Sequence, residues 1–521
     1  MNRISHVLRY APLMRSRQRS HVSRIIRALH EHASARPTHA ALFDETTALS
    51  YAELLAAVRY AAGQLKILKP RVVGLFADNG IPWAIADLAT LLCGITLVPV
   101  PSFFSPAQLE HVLHSAGIDC VLTDQPERFT AAGTAQSPSP FYGDLVAIRV
   151  DTTTHDMPAL PDGTQKITFT SGTTDHPKGV CLGLEEMEAT ADSLRIASAA
   201  SADDRHLCVL PLAMLLENIG GLHTPILAGA TVCLPKLASV GLSGSSNLDI
   251  GRMIQALATW RASSIILIPQ MLQALVGAGR AGIPLPDSLR YIAVGGAVLS
   301  AALLDAAAGL GLPVYQGYGL SECASVVAVN RPDANRLGSV GRPLPHVQVS
   351  FAQDGEILVR GVRWRGYLGH APSPAVGENM IATGDLGYLD TDGYLYLTGR
   401  KKNIFITSFG RNIAPEWIES ELVARPPILQ AAVFGESRPF NIAVIFAAPD
   451  AAPTAIDNAL DAANLVLPDY ARVHAWIRAT EPFNVANGLA TANGRLRRDA
   501  IFAAYAERID AHYSHELATV V

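Results

Sequence analysis

Apolar and polar positions follow two interleaved periods along residues 50–125. Stretches such as Tyr51–Leu65, Trp83–Leu92 and Pro106–Ala116 repeat their apolar residues at helical spacing. Between them lie short apolar runs, Val72–Phe76, Thr96–Pro99 and Cys120–Thr123, too brief for helices. Strand and helix taking turns in this way predict an α/β fold, a parallel sheet with helices on both faces. The pattern resumes at Lys166–Thr170, His206–Leu210, Ser264–Pro269, Tyr291–Val294 and Pro313–Tyr315. Residues 237–249, with two glycines and four serines, read as a surface loop.

Past residue 335 the strands shorten. Residues 355–360 read as a strand, and Asp392-Gly393 as the turn of a hairpin between Tyr388-Leu389 and Tyr394-Leu395-Tyr396. After the basic run Gly399-Arg400-Lys401-Lys402 come about 120 residues of mixed helix and strand, so a domain boundary is placed there: 1–400 and 401–521.

Composition narrows the possibilities. A chain of 521 residues exceeds one ordinary core. With 49% hydrophobic and 17% charged residues, it is no disordered or acidic-tail protein. A net charge of −5 removes any whole-protein electrostatic case for nucleic acid. The six cysteines are scattered without a C-x-x-C pair, which argues against a disulfide scaffold or structural zinc and for a reducing, cytoplasmic setting. Residues 88–104 are apolar but interrupted by Thr90, Gly94, Thr96, Pro99, Pro101 and Ser102, and read as buried strands and turns rather than a membrane span. The first 27 residues hold seven arginines and no acid; they read as a loosely held basic arm, with a transit peptide or peripheral membrane contact left open.

The densest chemistry is Thr168-Phe169-Thr170-Ser171-Gly172-Thr173-Thr174-Asp175-His176-Pro177-Lys178-Gly179-Val180, directly after a predicted strand. Glycines let backbone N–H groups approach an anion, hydroxyls donate to phosphate oxygens, and Lys178 adds a point charge. It is not the common P-loop, because no Ser or Thr follows the lysine. A second segment, Gln316-Gly317-Tyr318-Gly319-Leu320-Ser321-Glu322, flanks Tyr318 with glycines that would open its ring to stack on a purine. Glu322 is a hard oxygen ligand suited to Mg²⁺ bridging phosphates. A third, Thr383-Gly384-Asp385-Leu386-Gly387, sets on a tight turn an acid that could hold both hydroxyls of a ribose. Singly the last two are weak; in this order they reinforce one another.

Together these segments resemble the adenylate-forming superfamily of acyl-CoA synthetases, aryl and acyl ligases, peptide-synthetase adenylation domains and luciferases, over residues 25–505. Gly295-Gly296-Ala297 resembles that family's strand-end turn beside the nucleotide. The run Gly399-Arg400 to Lys402, with Ser408, Gly410, Asn412, Pro415, Ile418 and Glu419, resembles its hinge and thiol-access segment. Asn487-Gly488-Leu489-Ala490-Thr491 and Gly494-Arg495-Leu496-Arg497-Arg498 resemble the tail of long-chain acyl-CoA synthetases.

The resemblance implies a large domain of helix-flanked parallel sheets with a small distorted β-barrel, then a small mobile α+β domain. It implies a two-step reaction: a carboxylate attacks the α-phosphate of MgATP, and a thiol of coenzyme A, or of a carrier protein's phosphopantetheine, then displaces AMP. On this reading Lys178 and the loop Thr170, Ser171, Gly172, Thr173 and Thr174 take the β/γ-phosphates. Glu322 and Thr170 take Mg²⁺. Tyr318 takes the adenine, Asp385 the ribose, and Arg400 the nucleotide, which Gly295, Gly296, Ala297, Gln316, Gly317, Gly319 and Ser321 also help to bind. Lys402 is the hinge and Gly410 lies on the thiol path. Met214, Leu215, Leu216, Gly221, Leu320, Cys323 and Ala324 form an apolar acyl pocket, suited to a fatty or aryl-alkyl acid.

Four departures from the family pattern stand out. Asp175 replaces a loop glycine, and Met214 a histidine common in acyl-CoA synthetases. The acid that grips an amino group in amino-acid-activating relatives is absent, and Ser408-Phe409-Gly410-Arg411-Asn412 matches the long-chain branch best. Arg495 stands where the family has its adenylation lysine; arginine keeps the charge and can fork onto oxyanions, and is expected to retain the catalytic role. Two other readings remain: Arg495, Arg497 and Arg498 as a solvated basic face, and the whole chain as a nucleotide-binding non-enzyme.

Overall fold

The computed structural model describes residues 23–130, 138–150, 158–170, 178–244, 247–362, 364–369, 380–491 and 494–517. The basic arm up to residue 22 therefore lies outside the described residues, as do Ser171–Pro177 of the hydroxyl-rich segment. The arm was expected to run to residue 27, but Arg24–Ala35 is a helix. Ser23 caps it, and Ile25, Ile26 and Leu29 are buried on one side. Its arginines hid an apolar stripe.

Two large sheets carry the main body. One has seven strands; its interior strands Val72–Phe76, Thr96–Pro99, Cys120–Thr123 and Thr164–Thr170 run parallel, and its edges antiparallel. The other has nine, with Arg205–Leu207, Thr231–Cys233, Ser264–Leu267, Tyr291–Val294 and Val314–Tyr318 parallel in its centre. The sheets are thus mixed rather than wholly parallel: short hairpins close their rims, where no crossover helix is needed.

Helices Arg24–Ala35, Tyr51–Leu68 and Ile81–Cys93 share one core with strands of both sheets, such as Leu42, Val232, Leu75 and Leu122. They lie between the sheets. The middle helix starts at a capping box, Ser50 with Glu53, which satisfies N–H groups that the helix end leaves without intrahelical partners. Helices Ile250–Thr259, Pro269–Arg280 and Ala301–Gly309 cover the outer face of the nine-stranded sheet.

A four-stranded antiparallel sheet among the described residues, from Gln348–Phe351 to Leu395–Arg400, follows where the small distorted barrel is expected. It curls onto the main body, with Val340 N–H donating to the Leu395 carbonyl and Leu395 N–H to that of Gly341. The C-terminal domain packs a three-stranded sheet, Ile428–Phe434, Asn441–Ala447 and Val473–Arg478, against helices Pro415–Val423, Pro453–Asn464 and Arg498–Leu517. It touches the main body where Gln273 Nε2 donates to the Val423 carbonyl at 2.6 Å.

Residues 237–249 correct the loop reading. Leu237–Val240 is a short 3₁₀ turn and Leu242–Ser243 pairs with Asn247–Leu248, while Leu237, Val240 and Leu242 are buried. Three apolar side chains among the serines suffice to dock the segment. All six cysteines are free. Among the described residues, no helix is long and apolar enough to cross a membrane.

Candidate active site

A cavity of about 1190 Å³ opens beyond the carboxyl ends of the central strands of the nine-stranded sheet. This is where a parallel sheet with covered faces leaves a crevice. Lys178, Gly295, Gly296, Ala297, Gly317, Tyr318, Gly319, Ser321, Glu322, Asp385, Arg400, Lys402 and Arg495 all line it. They come from six separate stretches of chain, so their convergence is a product of folding.

The hydroxyl-rich segment joins two paired strands, Thr164–Thr170 and Lys178–Gly183. Thr170 ends one and Lys178 begins the other, so the lysine stands at the mouth of the loop. Its ammonium lies 5.6 Å from the centre of the Tyr367 ring. Tyr367 rests on the same strand through an isolated bridge to Val180, and its hydroxyl donates to Glu322 Oε1 at 2.7 Å. Burial first, and then the Glu322 charge, push the Tyr367 phenol well above its ordinary pKa, so it remains a donor. Tyr367 went unnoticed in the sequence because no motif surrounds it.

Tyr318 and Asp385 meet directly. The phenol donates to Asp385 Oδ2 at 2.8 Å, and Arg400 Nε donates to Asp385 Oδ1 at 2.8 Å. Asp385 and Arg400 face each other across paired strands, which fixes the carboxylate before any ligand arrives. The glycines around Tyr318 serve a different end from the one expected. Tyr318 is mostly buried, and a Cβ on Gly319 would overlap the Ser325 carbonyl. Gly319 therefore allows the backbone to fold back on itself, turning Glu322 into the cavity on the 3₁₀ turn Ser321–Cys323.

Arg495 reaches this cluster from the C-terminal domain. Its loop is braced by Thr491, whose N–H donates to the Arg495 carbonyl at 2.7 Å and whose Oγ1 accepts from Arg495 N–H at 3.1 Å. The side chain is open to the cavity but hemmed in by protein. That desolvation lowers its pKa from the guanidinium's ordinary value; Arg400 adds to the effect, and Asp385, Glu322 and Tyr318 oppose it. Lys402 is lowered too, by desolvation first and then by Arg400 and Arg495. Three cations facing two carboxylates form a site that gains from an anion. The basic-face reading fails at Arg498, which forks onto the buried Glu419 at 2.5 Å through both nitrogens.

Among the acyl-pocket candidates, Met214, Leu215, Leu216 and Leu320 line the cavity. Cys323 and Ala324 do not: both are fully buried behind the turn that carries Glu322. Gly221 is displaced by one position, since Gly220 faces the cavity while Gly221 backs onto His206 and Glu217. The offset arises because Asn218–His223 winds as a π-helix, with a wider turn than sequence spacing suggests. The Gln316 side chain is buried away from the cavity, and Gly410 sits in an exposed turn outside it. Ile266, Ala293, His206 and Ser264 also line the acyl side; scattered through strands, they left no signal in the sequence.

Residues 29–368 match the family described as AMP-binding enzyme, and residues 402–517 its C-terminal domain. The chain belongs to the AMP-binding enzyme family. It is accordingly an enzyme, and the non-catalytic reading falls away. This AMP-binding enzyme is 28% identical to the long-chain-fatty-acid–CoA ligase FadD15 of Mycobacterium bovis, over 86% of this chain and 88% of that one. It is 30% identical to the 2-succinylbenzoate–CoA ligase of Bacillus cytotoxicus, over 72% and 77% of the two chains. Its fold matches the anthranilate CoA ligase AuaEII in complex with anthranoyl-AMP, with a TM-score of 0.78 and 20% identity over 92% of this chain and 96% of that one.

Proposed function

We propose that this enzyme activates an apolar carboxylic acid with MgATP, forming an acyl-adenylate and pyrophosphate, and passes the acyl group to the thiol of coenzyme A. The acid is fatty or aryl-alkyl. Fatty and aryl acids both occur among the names of its relatives, and the acyl side of the cavity offers Met214, Leu216, Leu320 and Ile266 to an apolar chain.

The chemistry joins two anions, so the enzyme must cancel their repulsion and hold them in line; it needs no nucleophile of its own. Lys178, at the mouth of the Thr170–Thr174 loop, meets the β/γ-phosphates. Asp385, fixed by Tyr318 and Arg400, accepts from the ribose hydroxyls. The donor set also fits a magnesium ion: Glu322 is a hard carboxylate held on one oxygen by Tyr367, with its other oxygen bonded to none of the described residues. When bound, the ion would offset the charge of the phosphates. Arg495 is assigned to the meeting point of carboxylate and α-phosphate, where its fork can hold oxygens of both.

We place the functional division at residue 400, with 401–521 as a lid that turns about Lys402 between the two half-reactions. That motion would withdraw Arg495 and admit the thiol along the turn at Gly410. Thioester formed on a carrier protein but not on coenzyme A would overturn the choice of acceptor.

One observation carries the reading: Arg495, from the smaller domain, shares a cavity with Glu322, Asp385 and Arg400 of the larger one. Arg495→Ala tests it by ATP–pyrophosphate exchange. Loss of a contact made at the reacting centre should slow exchange more than about tenfold, or roughly 1.4 kcal/mol. Exchange within about threefold of the parent refutes the role.

A further inference from the structure

The acyl side of the cavity follows one face of the nine-stranded sheet toward the starts of its strands. His206, Ser264, Ile266 and Ala293 share that face, by the register His206↔Ser264 and Ile266↔Ala293. Gly295 follows the strand end nearest the nucleotide, whereas Ser264 begins its strand. Four residues of strand separate the two levels, roughly 13 Å at about 3.3 Å per residue. The walls between are apolar or small: Leu194, Leu216, Gly220, Ile266 and Ala293.

The far end is polar. Ser264 Oγ lies 3.0 Å from His206 Nδ1, and His206 Nε2 lies 3.0 Å from Glu217 Oε1. Glu217 is fully buried, with the Cys208 thiol beside it, and among the described residues its second oxygen, Oε2, meets no nitrogen or oxygen partner. Space for the pair depends on Gly221, where a Cβ would overlap Glu217 Oε1 and stand 2.7 Å from His206 Nε2. Carboxylate oxygens only accept, so His206 Nε2–H donates to Glu217, and Nδ1 of that tautomer accepts the Ser264 hydroxyl proton. The Ser264 oxygen then faces the cavity with lone pairs and no proton to give. A hydrocarbon tail ending there would leave it unmet, at a cost that burial makes large.

We infer that Ser264, His206 and Glu217 form a polar anchor at the end of the acyl tunnel, selecting acids that carry a hydrogen-bond donor, specifically a hydroxyl, at the end distant from the carboxylate. Ser264 is the contacting residue; His206 and Glu217 are positioning residues that turn its oxygen into an acceptor. The substrate class is thus an elongated acid with an apolar middle and a hydroxylated tip. The inference rests on the proposed ligase reading and refines its substrate.

Matched pairs of acids test it: 10-hydroxydecanoate against decanoate, and 4-hydroxyphenylpropionate against phenylpropionate. Two readouts are taken, the kcat/KM of acid-dependent pyrophosphate exchange and calorimetric affinity for the acid alone. The parent should favour the hydroxylated member of at least one pair by about tenfold or more, since a site built around a polar group rejects the analogue lacking it. Ser264→Ala and, independently, Glu217→Gln should bring that ratio toward one, with folding checked by circular dichroism. Equal treatment of both members of each pair, or a preference unchanged in both variants, overturns the anchor. Exchange with no acid while hydroxylated acids still bind preferentially would instead overturn the ligase reading alone. Stoichiometric zinc in the purified protein, held by His206, Glu217 and the neighbouring Cys208, would also overturn the anchor, because both positioning residues would be committed to the metal.

Discussion

Two ion pairs in this molecule look alike on paper. Asp385 with Arg400 is a carboxylate and a cation at 2.8 Å; Asp87 with Lys166 is a carboxylate and a cation at 2.6 Å. The first lines the cavity and keeps part of its surface open. The second is sealed, with both side chains at most 1% exposed, and is completed by His223 Nε2 at 2.7 Å from Asp87 and by the Asn218 side chain on Lys166. Removing a ligand from the open pair returns it to water. Removing a partner from the sealed pair leaves a charge with nowhere to go. Access, rather than charge, separates a group that binds from a group that supports.

The largest effect is expected on the sealed side. Lys166→Met should cost about 3–5 kcal/mol in urea unfolding, by stranding Asp87. A variant with parental stability but weakened nucleotide binding would erase the contrast. On the open side, Asp385→Ala should slow adenylation about 100-fold, some 2.7 kcal/mol, while unfolding moves by only about 1 kcal/mol, the loss of the hydrogen bonds from Tyr318 and Arg400. Pyrophosphate exchange and urea titration of the same sample check both halves.

Acidification should act on the sealed side first. Burial holds the His223 pKa below its ordinary 6.5 despite Asp87 beside it, and burial lowers His346 as well. Below about pH 6.5 the unfolded chain binds protons that the folded chain refuses, so stability falls by up to about 1.4 kcal/mol per pH unit for each such histidine. A further loss comes below the ordinary carboxylate value of 3.8, because Lys166 and His223 hold Asp87 low in the folded state against the pull of burial. Melting temperatures from pH 8 to pH 5 test the first step; a rise on acidification contradicts it. Smallest is Tyr367→Phe, which removes one hydrogen bond to Glu322. It should raise the magnesium concentration needed for half-maximal rate a few-fold, about 1 kcal/mol, with the melting temperature nearly unchanged.

The open side was the legible one. Lys178, Tyr318, Glu322 and Asp385 sit in short runs crowded with glycine and hydroxyl residues, because tight turns such as the one at Gly319 demand those residue types and sequence records that locally. Strands such as Thr96–Pro99 and Tyr291–Val294 were legible for a similar reason, each a brief apolar run between turns. The sealed side left no such record. Asp87 reads as one polar residue on an apolar helix, and Lys166 as the edge of a strand; they lie 79 positions apart. The acyl wall was half legible, since Met214–Leu216 form one run whereas His206, Ser264 and Ala293 meet only across a sheet. Gly221, Cys323 and Ala324 were misplaced because a widened helical turn and a folded-back loop shift facing residues in ways that linear spacing does not encode.

The turn at Asn218–His223 ties the two sides together. Asn218 and His223 grip the Asp87–Lys166 clasp, while Gly220 borders the substrate tunnel and Gly221, with the adjoining Glu217, backs onto His206. Selectivity and robustness are therefore written into the same six letters of the chain. Efforts to retrain this catalyst for new acids would do better to diversify Ala293 and Leu216 and to leave that stretch alone: a changed appetite acquired there would come with a weakened frame.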